Sequence, residues 1–422
     1  MTRSTTAWRT AAVVGAAALA LTACGGGTAT TTPAASPSSA GSSSAASGDG
    51  VVRIGTLLPQ TGSLAFLGPP EFAGVNLAVK DVNAAGGVLG KPLEKSDSDS
   101  GDTSTDIASQ SVGRLLGEKV DAIVGAASSG VSKTVIDKIT GAGVVHFSPA
   151  NTSPDFTDYN DKGLYFRTAP SDVLQGRVLG DLILADGRQS VAIMALQDPY
   201  GTGLADNVEK SVTGGGGSVV AKEIYDPKAA TFSAEVGKIK AANPDAIALI
   251  AFDETKKIVP EMVKQGIDMK KVYFVDGNLA DYSKDFKPGT LDGAKGTLPG
   301  VVSDASFKEK LLGIDKDLKD FSYAPESYDA VVLIALAAEA AKSDSGTAIG
   351  GKLVEVSKGG EKCKTFADCK KLLGEGKDID YDGVSGPVEF SDKGDPTEAT
   401  IGIYQYGKDN KYTFLEGKAG KV

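Results

Sequence analysis

The stretch 120–156 constrains the fold most, because it joins two strand-like runs through one helix. Residues 120–124 form a short apolar run that ends in glycine, and residues 144–147 form a second one. Between them the apolar residues recur at helical spacing, and Gly141 and Gly143 end that helix. A strand–helix–strand unit favours parallel strands, and α/β proteins bind ligands beyond the carboxyl ends of such strands.

Both runs lead into small and hydroxyl-bearing residues. Ser128 or Ser129 can cap the helix, because a serine oxygen accepts from the free N–H groups of the first turn. The second run leads into Ser-Pro-Ala-Asn-Thr at 148–152. Since free N–H groups at a helix start favour an anion, we expect an anion-binding edge here.

The same alternation recurs along the chain and restarts near Ser171. Strands are predicted at 51–58, 191–196, 219–224, 246–251 and 272–275, and helices at 72–82, 107–116, 174–184, 204–212, 232–241 and 258–265. Further helices are predicted at 327–342 and 352–356, and late strands at 387–390 and 401–406. Strands that alternate with helices favour parallel sheets, and their number favours two similar α/β lobes.

The first 50 residues differ from the rest. Residues 1–23 combine two arginines with a short apolar stretch, which is typical of a targeting signal and too short for a membrane span. Leu21-Thr22-Ala23-Cys24 resembles the bacterial lipobox, which predicts a lipid on Cys24; an ordinary secretory signal is the alternative. Residues 24–50 are rich in Gly, Ala, Ser, Thr and Pro, which predicts a lipid anchor followed by a disordered tether.

Charge and cysteine content narrow the function classes. The net charge of −10 argues against a nucleic-acid partner, and no later apolar run is long enough to cross a bilayer. Cys363 and Cys369 lie close together in an exported chain, which predicts a disulfide. A metal site there is the alternative, but the single histidine, His146, falls in a predicted strand. We expect neither a metal nor a cofactor.

Seven segments together resemble the substrate-binding proteins of branched-chain amino-acid ABC importers. In chain order they are IGTLLPQTGSLAFLG, GVNLAVKDVNAAGGVLG, DAIVGAASSGVSKTV, SPANTSPDFT, YFRTAPSD, DPYGTGLADNV and YDGVSGPVEFSDKGD. The resemblance implies a type I periplasmic-binding-protein fold, in which two similar parallel-sheet lobes are joined by three crossing strands and close on a ligand. We expect residues 51–170 with 300–380 to form the N-terminal lobe, and residues 171–299 with 381–422 the C-terminal lobe.

The resemblance also implies ligand positions. In the first lobe it implies a carboxylate-binding serine at Ser129, in the same turn as Ser128, and further contacts from Ala150 and Thr152. In the second lobe it implies Tyr200, the aromatic Phe252, and an acid for the ligand ammonium at Asp276.

Three departures from the family pattern leave the ligand open. Phe252 replaces a frequent tyrosine, Asp276 is one methylene shorter than the glutamate of leucine binders, and Leu67 stands where an aromatic residue is frequent. Asp253 is the alternative acid. Each site position also has a purely structural reading: a cap at Ser129, Thr152 or Asp276, and packing at Tyr200. Amino acids lead as ligands, with short amides, urea-like compounds and aromatic acids as alternatives.

Other function classes fit the residues less well. An exported serine hydrolase could use Ser128 in a degraded nucleophile elbow, but His146 is its only candidate base. Residues 86–91 resemble a phosphate loop, yet the glycine spacing is short and Pro92 replaces the required Ser or Thr. A ligand-sensing lobe of a receptor is a third class.

We therefore expect a non-enzymatic, monomeric protein on the outer face of the bacterial cytoplasmic membrane. Its expected partners are a small-molecule ligand, the permease subunits of an ABC importer, and the membrane through the lipid on Cys24.

Overall fold

A computed structural model describes residues 48–300 and 302–422. The predicted signal peptide, Cys24 and nearly all of the predicted tether lie outside these residues. The strands are β1 (Arg53–Leu57), β2 (Glu94–Ser96), β3 (Ala122–Gly125), β4 (Val145–Ser148), β5 (Tyr165–Arg167), β6 (Ser190–Leu196), β7 (Ser218–Tyr225), β8 (Ala246–Ile250), β9 (Val272–Phe274), β10 (Lys295–Pro299), β11 (Glu361–Cys363), β12 (Ile379–Tyr381), β13 (Glu398–Tyr406) and β14 (Tyr412–Lys421).

The helices alternate with these strands. They are α1 (Gly68–Ala84), α2 (Ile107–Gly117), α3 (Ser129–Gly141), α4 (Asp172–Ala185), α5 (Pro199–Gly214), α6 (Ser233–Ala241), α7 (Thr255–Lys264), α8 (Ala305–Leu312), α9 (Ala324–Ala341), α10 (Gly346–Val356) and α11 (Phe366–Gly374). No helix among the described residues has both the length and the apolar character needed to cross a membrane.

Two sheets repeat one strand order. The first is parallel throughout, in the order β2-β1-β3-β4-β5. The second begins with the parallel order β7-β6-β8-β9-β10 and continues with the antiparallel strands β13 and β14. Both parallel parts therefore have the doubly wound order 2-1-3-4-5, and each has a switch point between its second and third strands in space.

The central strands read as continuous apolar runs because helices cover both faces of each sheet. All five residues of β8 are buried, for example. Helix α9 packs against α1, α10, β3 and β4, and buries every residue from Ala324 to Ala338. The small sheet β11-β12 joins the same apolar cluster as the first sheet.

The chain passes between the two sheets three times: between β5 and α4, between β10 and α8, and between β12 and β13. The last of these segments carries isolated bridges at Asp382–Pro387 and Phe390–Pro396. The prediction of a strand at 387–390 is therefore wrong, because two prolines and a turn interrupt regular pairing there. The α/β fold with two parallel-sheet lobes is confirmed.

Candidate functional site

A small cavity lies where the carboxyl ends of both parallel sheets face each other. Seven predicted residues line it: Leu67, Ser128, Ser129, Ala150, Tyr200, Phe252 and Asp276. Leu64, Ala127, Gly277 and Tyr323 complete the lining. The cavity volume is about 10 Å³, which is about the space that one water molecule requires. The two lobes are therefore closed tightly on each other.

The first lobe supplies hydrogen-bond donors to this cavity. Ser128 is the cap of α3, and its Oγ accepts from the backbone N–H of Val131 at 3.2 Å. Ser129, the first residue of α3, accepts through its Oγ from the N–H of Ser153 at 3.3 Å. The cavity is thus lined by the start of a helix, where free N–H groups favour a negative charge.

Two buried polar side chains hold the turns after β3 and β4 together. The Oγ of Ser148 donates to the carbonyl of Ala126 at 2.7 Å and accepts from the N–H of Ala150 at 3.2 Å. The amide of Asn151 donates to the carbonyls of Ala126 and Ala127. These bonds fix the spacing between the two turns that carry Ser129 and Ala150.

The second lobe supplies a buried acid, Asp276, directly after β9. Its Oδ1 accepts from the hydroxyl of Tyr200 at 2.8 Å and from the side-chain amide of Gln175 at 2.9 Å. Its Oδ2 accepts from the hydroxyl of Tyr323 at 2.7 Å. Burial raises the pKa of Asp276, and these three bonds oppose that rise. All three donors are neutral, so they stabilise the carboxylate without balancing its charge.

An aromatic wall lies beside the acid. The rings of Tyr200 and Phe252 stack with their centres 5.4 Å apart and their planes 9° from parallel. Gly277 allows this arrangement, because a Cβ there would lie 2.8 Å from the ring of Phe252. The apolar part of the cavity is therefore bounded by a fixed ring on one side and by Leu64 and Leu67 on the other.

A second acid, Asp172, lies close to Asp276. It is the first residue of α4 and is fully buried, and its carboxyl oxygens have no hydrogen-bond partner among the described residues. Burial raises the pKa of Asp172 well above its usual value, and the charge of Asp276 raises it further. The hydroxyl of Thr152 lies beside this carboxyl group without forming a well-directed hydrogen bond. Thr152 does not border the cavity.

Sequence reasoning missed Asp172, Gln175, Tyr323 and Leu64. Asp172 and Gln175 lie in the first turn of α4, immediately after the first crossing between the sheets. The available signal was their position on the same helical face as the apolar residues Leu179 and Ile183. Tyr323 has a left-handed backbone (φ 59°) at the start of α9, which no sequence pattern indicated. Asp253 lies outside the cavity, where it pairs with Lys256.

The other residues that the sequence analysis singled out, His146 and the two cysteines, lie outside the cavity. His146 is fully buried in β4, packs edge-on against Tyr165 and does not border the cavity that contains Ser128. Cys363 and Cys369 form a disulfide between β11 and α11. No cluster of three metal-binding side chains occurs among the residues that the structure describes.

Comparison with known proteins identifies the family. A family model described as periplasmic binding protein matches residues 51–411. Leu/Ile/Val-binding protein homolog 1 of Brucella suis is 28% identical over 377 residues, which cover 86% of this chain and 93% of the relative. Leu/Ile/Val-binding protein BraC3 of Rhizobium johnstonii is 27% identical over 364 residues, covering 84% of this chain and 91% of the relative.

Solved structures share the fold. The substrate-binding protein LivJ of a branched-chain amino acid transporter of Streptococcus pneumoniae, in complex with isoleucine, has a TM-score of 0.72 at 23% identity and covers 88% of this chain and 100% of that one. A solute-binding protein from R. palustris in complex with benzoate has a TM-score of 0.70 at 20% identity and covers 88% of this chain and 98% of that one. The chain therefore belongs to the periplasmic binding protein family and has the type I fold of the substrate-binding proteins of branched-chain amino-acid ABC transporters.

Proposed function

We propose that the protein captures an α-amino acid between its lobes and delivers it to the permease of an ABC importer. One observation carries this proposal: a buried acid with only neutral hydrogen-bond donors faces a helix start across one cavity. An amino-acid zwitterion has one charge for each of these sides.

The carboxylate of the ligand would lie against the first lobe. The hydroxyl and the backbone N–H of Ser129 are the donors in reach of the cavity, because the N–H of Val131 bonds Ser128 and that of Gly130 donates to Asp198. Hydrogen bonds to a charged group contribute roughly 1.5–3 kcal/mol each, so these two favour a carboxylate over a neutral amide.

The ammonium of the ligand would lie against Asp276. A buried carboxylate is costly unless it is paired, and an ammonium supplies both the missing charge and hydrogen-bond donors. Asp172 lies nearby with its oxygens unpaired, and burial and the charge of Asp276 raise its pKa. We propose that a ligand ammonium would favour its ionised form, so that Asp172 adds negative charge to the same subsite only when the ligand is bound. Thr152 would act through Asp172 instead of binding the ligand carboxylate directly.

The side chain of the ligand would lie among Leu64, Leu67 and Phe252. These three residues are apolar, so an aliphatic side chain fits them best. The relatives are named for leucine, isoleucine and valine, and the Streptococcus structure holds isoleucine. The R. palustris structure holds benzoate, so an aromatic acid is the second candidate, with short amides and urea-like compounds behind it.

Ligand entry requires the lobes to separate, because the closed cavity has room for about one water molecule. We propose that residues 51–170 with 300–380 and residues 171–299 with 381–422 move as two bodies about the three crossing segments. Contacts across the cleft, such as the bond from the Oγ of Ser153 to the carbonyl of Pro199 at 3.0 Å, would form on closure. The ligand then stabilises the closed form only by its differential affinity for it.

The protein would perform no chemistry on its ligand. A serine hydrolase needs a base beside its serine, and His146 lies outside the cavity that Ser128 lines. The family is one of solute-binding proteins, which supports an extracytoplasmic location.

We also propose that a lipid on Cys24 tethers the monomeric protein to the outer face of the membrane. Cys24→Ser should release the protein into the medium. If the variant remains with the membrane in detergent partitioning, the anchor proposal is wrong.

A thermal-shift screen of the purified chain tests the proposed function. Ligand binding raises the melting temperature in proportion to the logarithm of ligand concentration over Kd. We expect leucine, isoleucine or valine to raise it, and benzoate and short amides to raise it less. If only compounds without an ammonium group raise it, the proposed ligand class is wrong.

A further inference from the structure

A second cavity lies on the other side of Tyr323 from the proposed amino-acid site. Its volume is about 310 Å³, within the range of roughly 300–1,000 Å³ that is typical of small-molecule sites. The β13-β14 ribbon forms one side, and the segment before α9 forms the other. Unlike the amino-acid cavity, it is open in this structure. We call it the aromatic cavity.

Five aromatic side chains line the aromatic cavity: Phe321, Tyr323, Tyr404, Tyr412 and Phe414. Tyr404 lies opposite Phe414 in the β13-β14 ladder. Its ring meets those of Phe414 and Tyr412 edge to face, with centres 5.5 and 5.4 Å apart. Edge-to-face packing turns the ring faces in different directions, so the rings form the walls of a box instead of a flat stack.

The box already holds a cation at its edge. The Nζ of Lys308 lies 5.4 Å from the ring centre of Phe321, which is within the distance of a cation–π contact. Asp320 also borders the cavity and accepts from the hydroxyl of Tyr412 at 3.2 Å. Its walls therefore combine ring faces with one carboxylate, Asp320, and two ammonium groups, Lys308 and Lys319.

A buried acid, Glu326, lies at the back of the aromatic cavity and is only 3% exposed. Its carboxyl group lies against Gly300, where an added Cβ would come within 2.2 Å of the Oε1 atom. Gly300 also has a φ of +99°, which other residues rarely adopt. The backbone is thus built to admit this carboxyl group, which burial keeps protonated near neutral pH by raising its pKa to about 8.

We propose that the aromatic cavity binds a small molecule that carries a methylated ammonium group. Aromatic boxes attract such cations through the negative faces of their rings. A methylated ammonium has few or no N–H groups to satisfy, so walls that offer ring faces suit it better than a primary ammonium. Lys308 and Lys319 lie at the rim, where they would bind a carboxylate on the same ligand. The shared feature is the trimethylammonium group of choline and of glycine betaine.

Calorimetric titration of the purified full chain tests this site with three probes: choline, glycine betaine, and 3,3-dimethylbutan-1-ol, the uncharged analogue of choline. We expect at least one trimethylammonium probe to bind at least tenfold more tightly than the uncharged alcohol. Tighter binding of betaine than of choline would indicate that the two lysines bind a carboxylate of the ligand. Tighter binding of choline would indicate that the ligand is a cation without a carboxylate. If the alcohol binds as tightly as choline, or if neither cation binds, the proposal is wrong.

Three variants locate the probe. Phe414→Leu keeps an apolar side chain but removes a ring face, so it should weaken binding of the cation about tenfold. Leu415→Ala is the matched control, because Leu415 does not line the aromatic cavity and is 48% exposed, against 46% for Phe414. Phe252→Leu should leave the affinity for choline unchanged, because Phe252 lines the amino-acid cavity and not the aromatic cavity. If it abolishes choline binding instead, the probe occupies the amino-acid cavity and the aromatic cavity is not its site.

Discussion

The two lobes present equivalent turns to one cavity but opposite chemistry. Strands β3 and β4 of the first sheet occupy the same topological places as β8 and β9 of the second. The turns after β3 and β4 supply Ser129 and Ala150, whereas those after β8 and β9 supply Phe252 and Asp276. The first lobe thus offers hydrogen-bond donors, and the second offers an aromatic ring and an acid.

The difference between the side chains of the two lobes shows how a repeated fold can bind an asymmetric ligand. Repeated backbone topology brings six strand ends to one cavity: those of β1, β3 and β4 in the first sheet and of β6, β8 and β9 in the second. Ligands bind beyond such carboxyl ends of parallel strands. The side chains then decide which charge each lobe holds. In the proposed function, the donor side holds the ligand carboxylate and the acid side holds its ammonium.

The largest effect is expected on the acid side. Asp276→Asn keeps the shape of the side chain but leaves the ligand ammonium buried without its partner. Removing one partner of a buried charge pair costs about 2–5 kcal/mol, so amino-acid affinity should fall at least about thirtyfold in calorimetry. Asp253→Asn is the matched control, because Asp253 is exposed, lies outside the cavity and should change affinity little. Equal losses from both variants would contradict the assignment.

A pH dependence of the free energy of unfolding, similar in size, is expected from His146 in β4, the strand that leads to Ala150. Burial lowers the pKa of His146 to about 4, whereas an unfolded chain has a histidine pKa of about 6.5. The unfolded state therefore binds more protons between these values, so this contribution to stability is present above pH 6.5 and is lost as the pH falls to 4. The loss amounts to about 3 kcal/mol.

Chemical denaturation of the native protein and of His146→Phe across pH 4–7 measures this contribution. Because several buried carboxyl groups have raised pKa values and shift stability in the opposite direction, the difference between the two curves is the relevant quantity. The free energy of unfolding of the native protein minus that of His146→Phe should fall as the pH drops from 6.5 to 4, because only the native protein carries this histidine. A constant difference from pH 7 to pH 4 would show that His146 does not titrate in this way.

The donor side should show a smaller effect on binding. Ser129→Ala removes one hydroxyl donor to a charged group, worth roughly 1.5–3 kcal/mol, so amino-acid affinity should fall about ten- to a hundredfold. Ser128→Ala separates this role from capping, because Ser128 caps α3 and its loss should cost about 1 kcal/mol of stability. If Ser129→Ala binds the amino acid normally in calorimetry, the donor side does not depend on that hydroxyl.

The smallest effect is expected from loss of the disulfide, which should lower stability without changing ligand binding on either side of the cavity. The Cys363–Cys369 disulfide lies outside the cavity and closes a loop with a sequence separation of 6. Replacing both cysteines by serine should lower stability by about 2 kcal/mol on the loop-entropy model and leave ligand affinity unchanged. If Cys363 and Cys369 both react as free thiols in the denatured, unreduced protein of native sequence, the disulfide is absent.

The sequence predicted the parallel sheets from local patterns, and its resemblance to the family implied most of the residues that line the cavity. A strand followed by a polar turn places Ser129 and Asp276 at a sheet edge whatever the rest of the chain does. The sequence did not predict Tyr323 or Gln175. Each reaches Asp276 from a helix start distant in the chain, at separations of 47 and 101 residues. Such contacts depend on how the crossing segments orient the two lobes. The hydrophobic periodicity of a single helix or strand carries no information about that orientation.

Strand β14 and the predicted strand at 387–390 teach the same lesson. The apolar spacing at 387–390 resembles a strand, but prolines and the crossing geometry leave only isolated bridges there. The polar, exposed strand β14 forms nine residue pairs with β13 although its sequence has no sustained apolar alternation. In both segments, strand formation depends on whether the folded protein supplies a neighbouring strand to pair with.

The most direct test of the central claim compares three ligands in calorimetry: leucine, 4-methylpentanoate, which lacks the ammonium, and 3-methylbutan-1-amine, which lacks the carboxylate. If the cavity binds a zwitterion through opposite charges on its two sides, leucine should bind at least a hundredfold more tightly than either analogue. If 4-methylpentanoate binds as tightly as leucine, Asp276 does not hold a ligand ammonium and the account of the two sides is wrong.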